Sequence, residues 1–112
     1  MDSWKVIYYI SPSGDNPVSD FLDSLNPQTQ TKLLRIIIHI KEYGLQTVIR
    51  HVKKLSGTPF WEIRILGQDN VRVIYVVPIP SYVLLLHGFT KKAEKTPPKE
   101  IEIASKRYQQ YL

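Results

Sequence analysis

Two arginines in the second half of the chain, Arg64 and Arg72, are placed so that they could hold an anion together. Each lies in a run of alternating apolar and polar residues typical of a β-strand, and a turn-forming segment separates the two runs. Pairing Trp61 with Tyr75 gathers the apolar side chains on one face of the hairpin and sets Arg64 directly across from Arg72. Opposed like charges destabilise a sheet by roughly 0.2–1 kcal/mol, so the arrangement needs a reason.

Two interpretations account for the opposed arginines. Glu62 lies on the same predicted face and could bridge them, which would make the group structural. Alternatively, the arginines form an anion site, because two guanidinium groups on a rigid sheet suit the oxygens of a phosphate. A hairpin shifted by one residue would set Arg64 against Val73 and scatter the apolar side chains over both faces, so we reject that register.

Three lysines follow the last predicted strand, close to the strand that carries Arg72. Lys91, Lys92 and Lys95 stand just before a predicted helix. A lysine run is most often only a solvated loop. Its position beside the arginines favours a shared cationic surface instead.

The net charge of +5 is confined to one half of the chain. Residues 1–49 contain four Lys or Arg against five Asp or Glu, whereas residues 50–112 contain eleven against five. Such asymmetry is typical of nucleic-acid binding, and a solvated basic face gives the same count.

Length and composition predict a single domain over residues 1–112. The absence of cysteine excludes disulfides, thiolate catalysis and Cys-based zinc sites. His39 lies between isoleucines without partners at metal-ligand spacing, so we expect neither a metal nor a cofactor. No apolar run approaches the roughly 20 residues that span a bilayer, and the first residues lead straight into a strand pattern. We therefore expect no membrane association and no secretion signal, and we expect a cytoplasmic protein.

The pattern of elements predicts an α+β fold. A strand over residues 4–10 precedes two helices that start at Asn16-Pro17 and Asn26-Pro27, where Asn can cap and Pro can begin a helix. A strand-like segment at 51–57, antiparallel strands over 60–66, 71–77 and 82–89, and a helix from about Thr96 follow. The second helix, ending at Gly44, should bury Leu33, Ile36, Ile37 and Ile40, and the last helix should bury Ile101, Ala104, Tyr108 and Leu112.

Histidine ordinarily titrates near neutrality, so His87 is an obvious candidate for proton transfer. It alternates with Leu86 and Gly88 along the last strand. We therefore expect its side chain to point away from Arg72, to pack on the core and to be satisfied by backbone groups.

An ordered set of short motifs resembles the RelE/ParE toxin superfamily, and most closely its HigB-type, phage-derived branch. The motifs are Trp61-Glu62-Ile63-Arg64, Arg72-Val73-Ile74-Tyr75, Leu86 to Lys92, Lys95-Thr96-Pro97 and Glu100 to Ala104. The resemblance implies a RelE-like fold and a type II toxin. Such a toxin enters the ribosomal A site and cleaves mRNA as a metal-independent endoribonuclease, and a helix-turn-helix, HigA-like antitoxin holds it inactive.

The resemblance also implies roles for individual residues. Arg72 matches the family's sheet arginine that contacts the scissile phosphate. Arg64 matches a basic residue on the preceding strand, and Lys91 matches the basic residue after the last strand. The expected RNA-binding residues are Lys53, Lys54 and Lys92. Several relatives carry a Tyr, or His and Asp, as general base or acid where this chain has Thr96-Pro97-Pro98, so that role does not transfer. Lys91 or Lys95 is then the expected acid or base.

Two other functions are compatible with the same fold. A ParE-like protein poisons DNA gyrase by binding and has no nuclease chemistry, although that side of the superfamily generally lacks the basic constellation seen here. A degenerate toxin would survive only as an antitoxin-binding or RNA-binding module.

Overall fold

A computed structural model describes residues 4–65, 70–91 and 95–112 and has a mixed α+β architecture, compatible with the expected RelE-like fold. Five strands form one sheet in the order β1-β5-β4-β3-β2, with β1 parallel to β5 and every other pair antiparallel. The elements are β1 (Lys5–Tyr8), α1 (Pro17–Ser24), α2 (Pro27–Tyr43), a 3₁₀ segment (Leu45–His51), β2 (Val52–Lys54), β3 (Trp61–Ile65), β4 (Val71–Val76), β5 (Tyr82–Thr90) and α3 (Pro98–Tyr111).

The first two helices begin where the Asn-Pro pairs predict. The side-chain oxygen of Asn16 accepts a hydrogen bond from the Ser19 backbone N–H at 3.2 Å, and Asn26 caps α2 in the same way. Helix α2 ends at Tyr43 and is followed by its C-cap Gly44, whose φ of 88° lies in the region that favours glycine. None of the helices in the described residues is long and apolar enough to cross a bilayer.

Each face of the sheet has its own core. Helices α1 and α2 cover one face, where the four predicted α2 positions are all buried: Leu33, Ile36, Ile37 and Ile40. Helix α3 covers the other face through Ala104, with Ile101 and Tyr108 packed beside it. The prediction for Leu112 was wrong, because α3 ends at Tyr111 and leaves Leu112 80% exposed.

The β3–β4 hairpin has the predicted register. Trp61 pairs with Tyr75, and Arg64 lies directly across from Arg72. The predicted turn at 67–69 and its closing residue Leu66 lie outside the described residues. The 3₁₀ segment carries no repeating apolar pattern, so the sequence did not predict it; its one buried residue, Val48, packs in the α2-side core.

Strand β5 contains a bulge that reverses the expectation for His87. Tyr75 pairs with Leu85 but its neighbour Ile74 pairs with His87, so Leu86 is an additional residue in the ladder. Leu86 packs in the α3-side core, and His87, opposite Ile74, faces the same side. The prediction that His87 points away from Arg72 was therefore wrong, because it assumed unbroken alternation.

We expect Gly88→Ala to destabilise the fold through a clash with α1. A Cβ atom at Gly88 would lie 2.8 Å from Cε2 of Phe21 and closer still to Cδ2. Overpacking of this kind typically costs about 1–3 kcal/mol, so the midpoint of urea unfolding should fall.

The control is the same substitution in a Phe21→Ala background, where the ring is gone. There Gly88→Ala should cost much less, because the two changes share one contact. An equal loss in both backgrounds would show that the clash with Phe21 is not the cause.

Candidate functional site

Four cations gather on the α3-facing side of the sheet. Arg64 and Arg72 pair across β3 and β4, and Lys53 on β2 pairs with Glu62. Lys91 follows the end of β5, and its charge interacts with those of Arg72, Arg64 and Lys53. We call these four residues, Lys53, Arg64, Arg72 and Lys91, the cationic cluster.

Glu62 is the carboxylate at the centre of the cationic cluster, and it is 1% exposed. Its Oε1 lies 3.4 Å from Nε of Arg64 and 3.5 Å from Nε of Arg72. Its Oε2 accepts a hydrogen bond of 2.7 Å from the hydroxyl of Thr96, which lies just before α3. The bridge considered from the sequence is therefore present.

One carboxylate does not satisfy the cluster. Arg72 is 5% exposed and Lys91 is 3% exposed. Within residues 4–65, 70–91 and 95–112, Nζ of Lys91 is buried without a hydrogen-bond partner, and the ion pairs from Nε of Arg64 and Nε of Arg72 to Oε1 of Glu62 do not reach hydrogen-bond geometry. Buried charged donors without acceptors are costly. The site therefore combines a structural bridge with unused capacity for negatively charged oxygen atoms.

Burial and neighbouring positive charge lower the pKa of two members of the cationic cluster, Lys91 and Arg72. Burial lowers the pKa of Lys91, and the charges of Arg72, Arg64 and Lys53 lower it further against the opposing effect of Glu62. Burial likewise lowers the pKa of Arg72, with a further contribution from Arg64. Lys91 is therefore a stronger acid than an ordinary lysine.

The other predicted lysines are not brought together in the same way. Lys54 pairs with Trp61, so strand alternation directs it away from Lys53, and its Nζ donates to the Thr58 carbonyl. Lys95 is exposed and stands beside Thr96. Lys92 lies outside the described residues. Their proposed roles in RNA binding or proton transfer stay predictions.

A second polar network on this face was not identified from the sequence. His87 Nε2 lies 3.3 Å from Oε2 of Glu100, and Arg107 lies 3.2 Å from His87 Nδ1 and 2.9 Å from the Leu86 carbonyl. Burial lowers the pKa of His87, Arg107 adds to this, and Glu100 opposes it. A neutral ring that donates to Glu100 and accepts from Arg107 satisfies these contacts. Side chains rather than backbone groups thus hold His87, and the network fastens α3 to β5.

The signal for this network was present in α3. Glu100 and Arg107 lie seven residues apart, on the helical stripe that also carries the buried Ala104. A charged pair on a buried stripe indicates a partner on the neighbouring element, and here that partner is His87.

The surface suits anions rather than metal ions. Among the residues described, no three His, Cys, Asp or Glu side chains come together as a potential metal-ligand group. Glu62 and Glu100, the two buried carboxylates in the described part of the chain, each face cationic or imidazole groups instead.

We expect Lys91→Met to stabilise the protein at neutral pH. Because folding lowers the pKa of Lys91, the unfolded chain binds this proton more tightly, and the fold gains stability as pH rises toward the ordinary lysine value. Removing the charge should raise the free energy of unfolding by on the order of 1 kcal/mol, which corresponds to a rise in melting temperature of roughly 4 °C. The variant should also lack the wild type's gain in stability between neutral and alkaline pH.

The matched control is Lys5→Met, which removes an exposed lysine from a strand. Thermal unfolding of the three proteins over pH 6 to 10 separates the effects. An equal shift in both variants would mean that total charge, not the burial of Lys91, is responsible.

Comparison with known proteins places the chain in a family. A family model described as phage derived protein Gp49-like (DUF891) matches residues 20–109, a range that includes the whole cationic cluster. The family is phage-derived and related to RelE/HigB-like toxins. No curated protein gives a significant match. The chain therefore belongs to the Gp49-like family of phage-derived proteins.

Proposed function

We propose that this protein is the toxin of a type II toxin–antitoxin system and that it inhibits translation by cleaving mRNA on the ribosome. Membership in a toxin-related family supports a toxin in general terms. The observation that carries the nuclease proposal is the convergence of three cations, Arg64, Arg72 and Lys91, on the single carboxylate of Glu62, with Nζ of Lys91 buried and without a hydrogen-bond acceptor. A phosphodiester would supply further acceptor atoms and negative charge to these cations, which share one carboxylate.

The exposure of each residue suggests the order in which a phosphate meets the cluster. Lys53 is exposed and the Arg64 side chain is 26% exposed, so these two reach an incoming strand first. Arg72 and Lys91 lie behind them. Because the sheet holds both arginines before the substrate arrives, little reorganisation is needed as charge develops in the transition state.

Cleavage by this route uses the neighbouring 2′-hydroxyl of the RNA. The 2′-oxygen bonds to phosphorus as its proton passes to a base, and the bond from phosphorus to the 5′-oxygen breaks as that oxygen takes a proton from an acid. Arg72 and Arg64 stabilise the extra negative charge on the phosphoryl oxygens. The products are a 2′,3′-cyclic phosphate and a free 5′-hydroxyl.

Lys91 is the proposed acid that protonates the leaving 5′-oxygen. Its lowered pKa and its position beside Arg72 suit this role. Lys95 is the alternative proton carrier, because it adjoins Thr96, the residue bonded to Glu62. His87 is excluded from this scheme, since Glu100 and Arg107 occupy both of its ring nitrogens.

Toxicity of this kind requires a neutralising partner in the cell. The proposal therefore includes a co-encoded, helix-turn-helix antitoxin of the HigA-like type, with the ribosomal A site and its mRNA as the target. Growth arrest when this protein is induced, relieved by expression of the adjacent gene, would support both the toxin and the antitoxin. Arrest that no neighbouring gene relieves would contradict the antitoxin.

We expect Arg72→Ala to lose most of the mRNA cleavage on ribosomes. Loss of one preorganised donor to a developing negative charge typically costs about 10²–10³ in rate. Arg72→Lys should lose less, because it keeps the charge but not the planar fork. Primer extension on translating ribosomes measures both variants.

Folding must be controlled in this experiment, because Arg72→Ala leaves Glu62 with fewer cationic partners. Circular dichroism and thermal unfolding identify variants that remain folded at the assay temperature. Lys5→Ala, which changes an exposed lysine on β1, serves as the matched control. Undiminished cleavage by folded Arg72→Ala would refute the proposal.

We expect the cleavage rate of the wild type to fall at alkaline pH as Lys91 loses its proton. General acid catalysis typically contributes about 10²–10⁴ to a rate, so Lys91→Met should be slower at neutral pH and should lack the alkaline decline. Lys95→Met should keep that decline. The reverse result for the two variants would assign the acid to Lys95.

Poisoning of DNA gyrase is the rival function on this fold. Supercoiling by purified gyrase should be unaffected by the wild-type protein at concentrations that stop translation. Inhibition of supercoiling without any mRNA cleavage would overturn the nuclease proposal.

A further inference from the structure

A basic groove lies beside the cationic cluster, between α2, the 3₁₀ segment and the end of β3. Its volume is about 540 Å³, within the range of small-molecule and nucleotide sites. We call it the α2 groove. Its basic lining consists of Lys32, Arg35, His39, Arg50, His51 and Arg64.

The charge of the α2 groove is one-sided. Lys32, Arg35 and His39 occupy one face of α2 at spacings of three and four residues, and Arg50 and His51 approach from the 3₁₀ segment. No Asp or Glu is among the described residues that line it. All five of these side chains are exposed, so they can rearrange around a ligand.

The floor of the α2 groove is apolar. Ile36, Val48 and Ile65 are buried residues that also line the groove. Basic walls over an apolar floor match a nucleotide, which presents a charged phosphate on one side and a flat base on the other. His and Arg side chains add planar groups on which bases commonly stack.

Arg64 connects the α2 groove to the cationic cluster. It lines the groove and also lies 3.4 Å from Glu62. This is possible because β2 pairs with Trp61, Glu62 and Ile63 of β3 but not with Arg64 or Ile65, so no strand in the described part of the chain pairs with that edge of β3 at these two residues. A shallower depression then continues along α2 from Lys32 and Arg35 toward Pro27.

We infer that a single RNA strand whose scissile phosphate lies at Arg64 and Arg72 continues across the open edge of β3 into the α2 groove, which holds the phosphates of the flanking nucleotides. This inference rests on the proposed function and extends it from one phosphate to the path of the strand. A continuous positive groove that follows a backbone is the general form of single-strand binding sites.

The test compares two 5′-fluorescein-labelled 2′-O-methyl oligoribonucleotides, a trimer and a nonamer, which lack the attacking hydroxyl and stay uncleaved. Fluorescence anisotropy gives Kd at several salt concentrations. The wild type should bind the nonamer more tightly than the trimer. A plot of the logarithm of the association constant against the logarithm of salt concentration should also be steeper for the nonamer, by about 0.7 for each added phosphate contact.

The informative variant is Arg35→Gln/Arg50→Gln, which removes two cations from the α2 groove. It should bind the nonamer about tenfold or more weakly, the scale of charge-assisted hydrogen bonds, and it should bind the trimer as the wild type does. The matched control is Lys5→Gln/Lys41→Gln, which removes the same charge from exposed positions outside the groove. This control should retain most of the nonamer affinity.

Three outcomes would overturn the inference: an unchanged nonamer affinity in the groove variant, an equal loss in the control, or a mononucleotide that competes at the affinity of the nonamer. The last would indicate a small-ligand pocket. A different result would contradict the proposed function without contradicting the strand path. If Arg72→Gln leaves trimer binding and ribosomal cleavage intact while the groove variant still loses nonamer affinity, the strand path stands and the cleavage site does not.

Discussion

The position of the Glu62 carboxylate between two opposed arginines controls the arrangement of this sheet surface. Without it, Arg64 and Arg72 would repel each other across the β3–β4 ladder with no compensation. Glu62 also accepts a hydrogen bond from the hydroxyl of Thr96 and so holds the residues just before α3 against the sheet. One buried carboxylate thus contacts both arginines and the segment that leads into the last helix. It is nevertheless outnumbered by cations, which leaves the surface ready for an external anion.

Helix α3 is held to the sheet by polar contacts as much as by apolar ones. Ala104 is its only fully buried apolar residue among those described, whereas Glu100 and Arg107 both reach groups on β5. The Arg107 guanidinium also lies over the ring of Tyr9, 5.6 Å from its centroid. Such a network is directional, so it fixes the rotation of α3 about its axis more strictly than an apolar stripe alone would.

Much of this arrangement follows from local rules and could be read from the sequence. The hairpin register follows because only one alignment of β3 and β4 puts the apolar side chains on one face. The starts of α1 and α2 follow from Asn-Pro pairs. Glu62 could be placed beside the arginines for the same reason, although its burial could not.

Long-range packing decided the features that the sequence did not predict. Lys32 and Arg35 belong to the half of the chain with no excess of positive charge, yet α2 packs beside β3 and brings them close to Arg64. Charge counted along the chain does not measure charge in space. Lys53 and Lys54 look equivalent as neighbours in sequence, but strand alternation separates them, and only Lys53 is placed to act on Lys91.

The bulge at Leu86 has a consequence for comparing this chain with its relatives. Residues after Leu86 keep their pairing with β4, so His87 stays opposite Ile74, Gly88 opposite Val73 and Phe89 opposite Arg72. A relative without the bulge would lack one residue here and still present the same side chains to the same faces. Assigning alternate residues to alternate faces from the start of β5 therefore gives the wrong face for every residue after Leu86. Assigning each of those residues the face of its β4 partner gives the correct one.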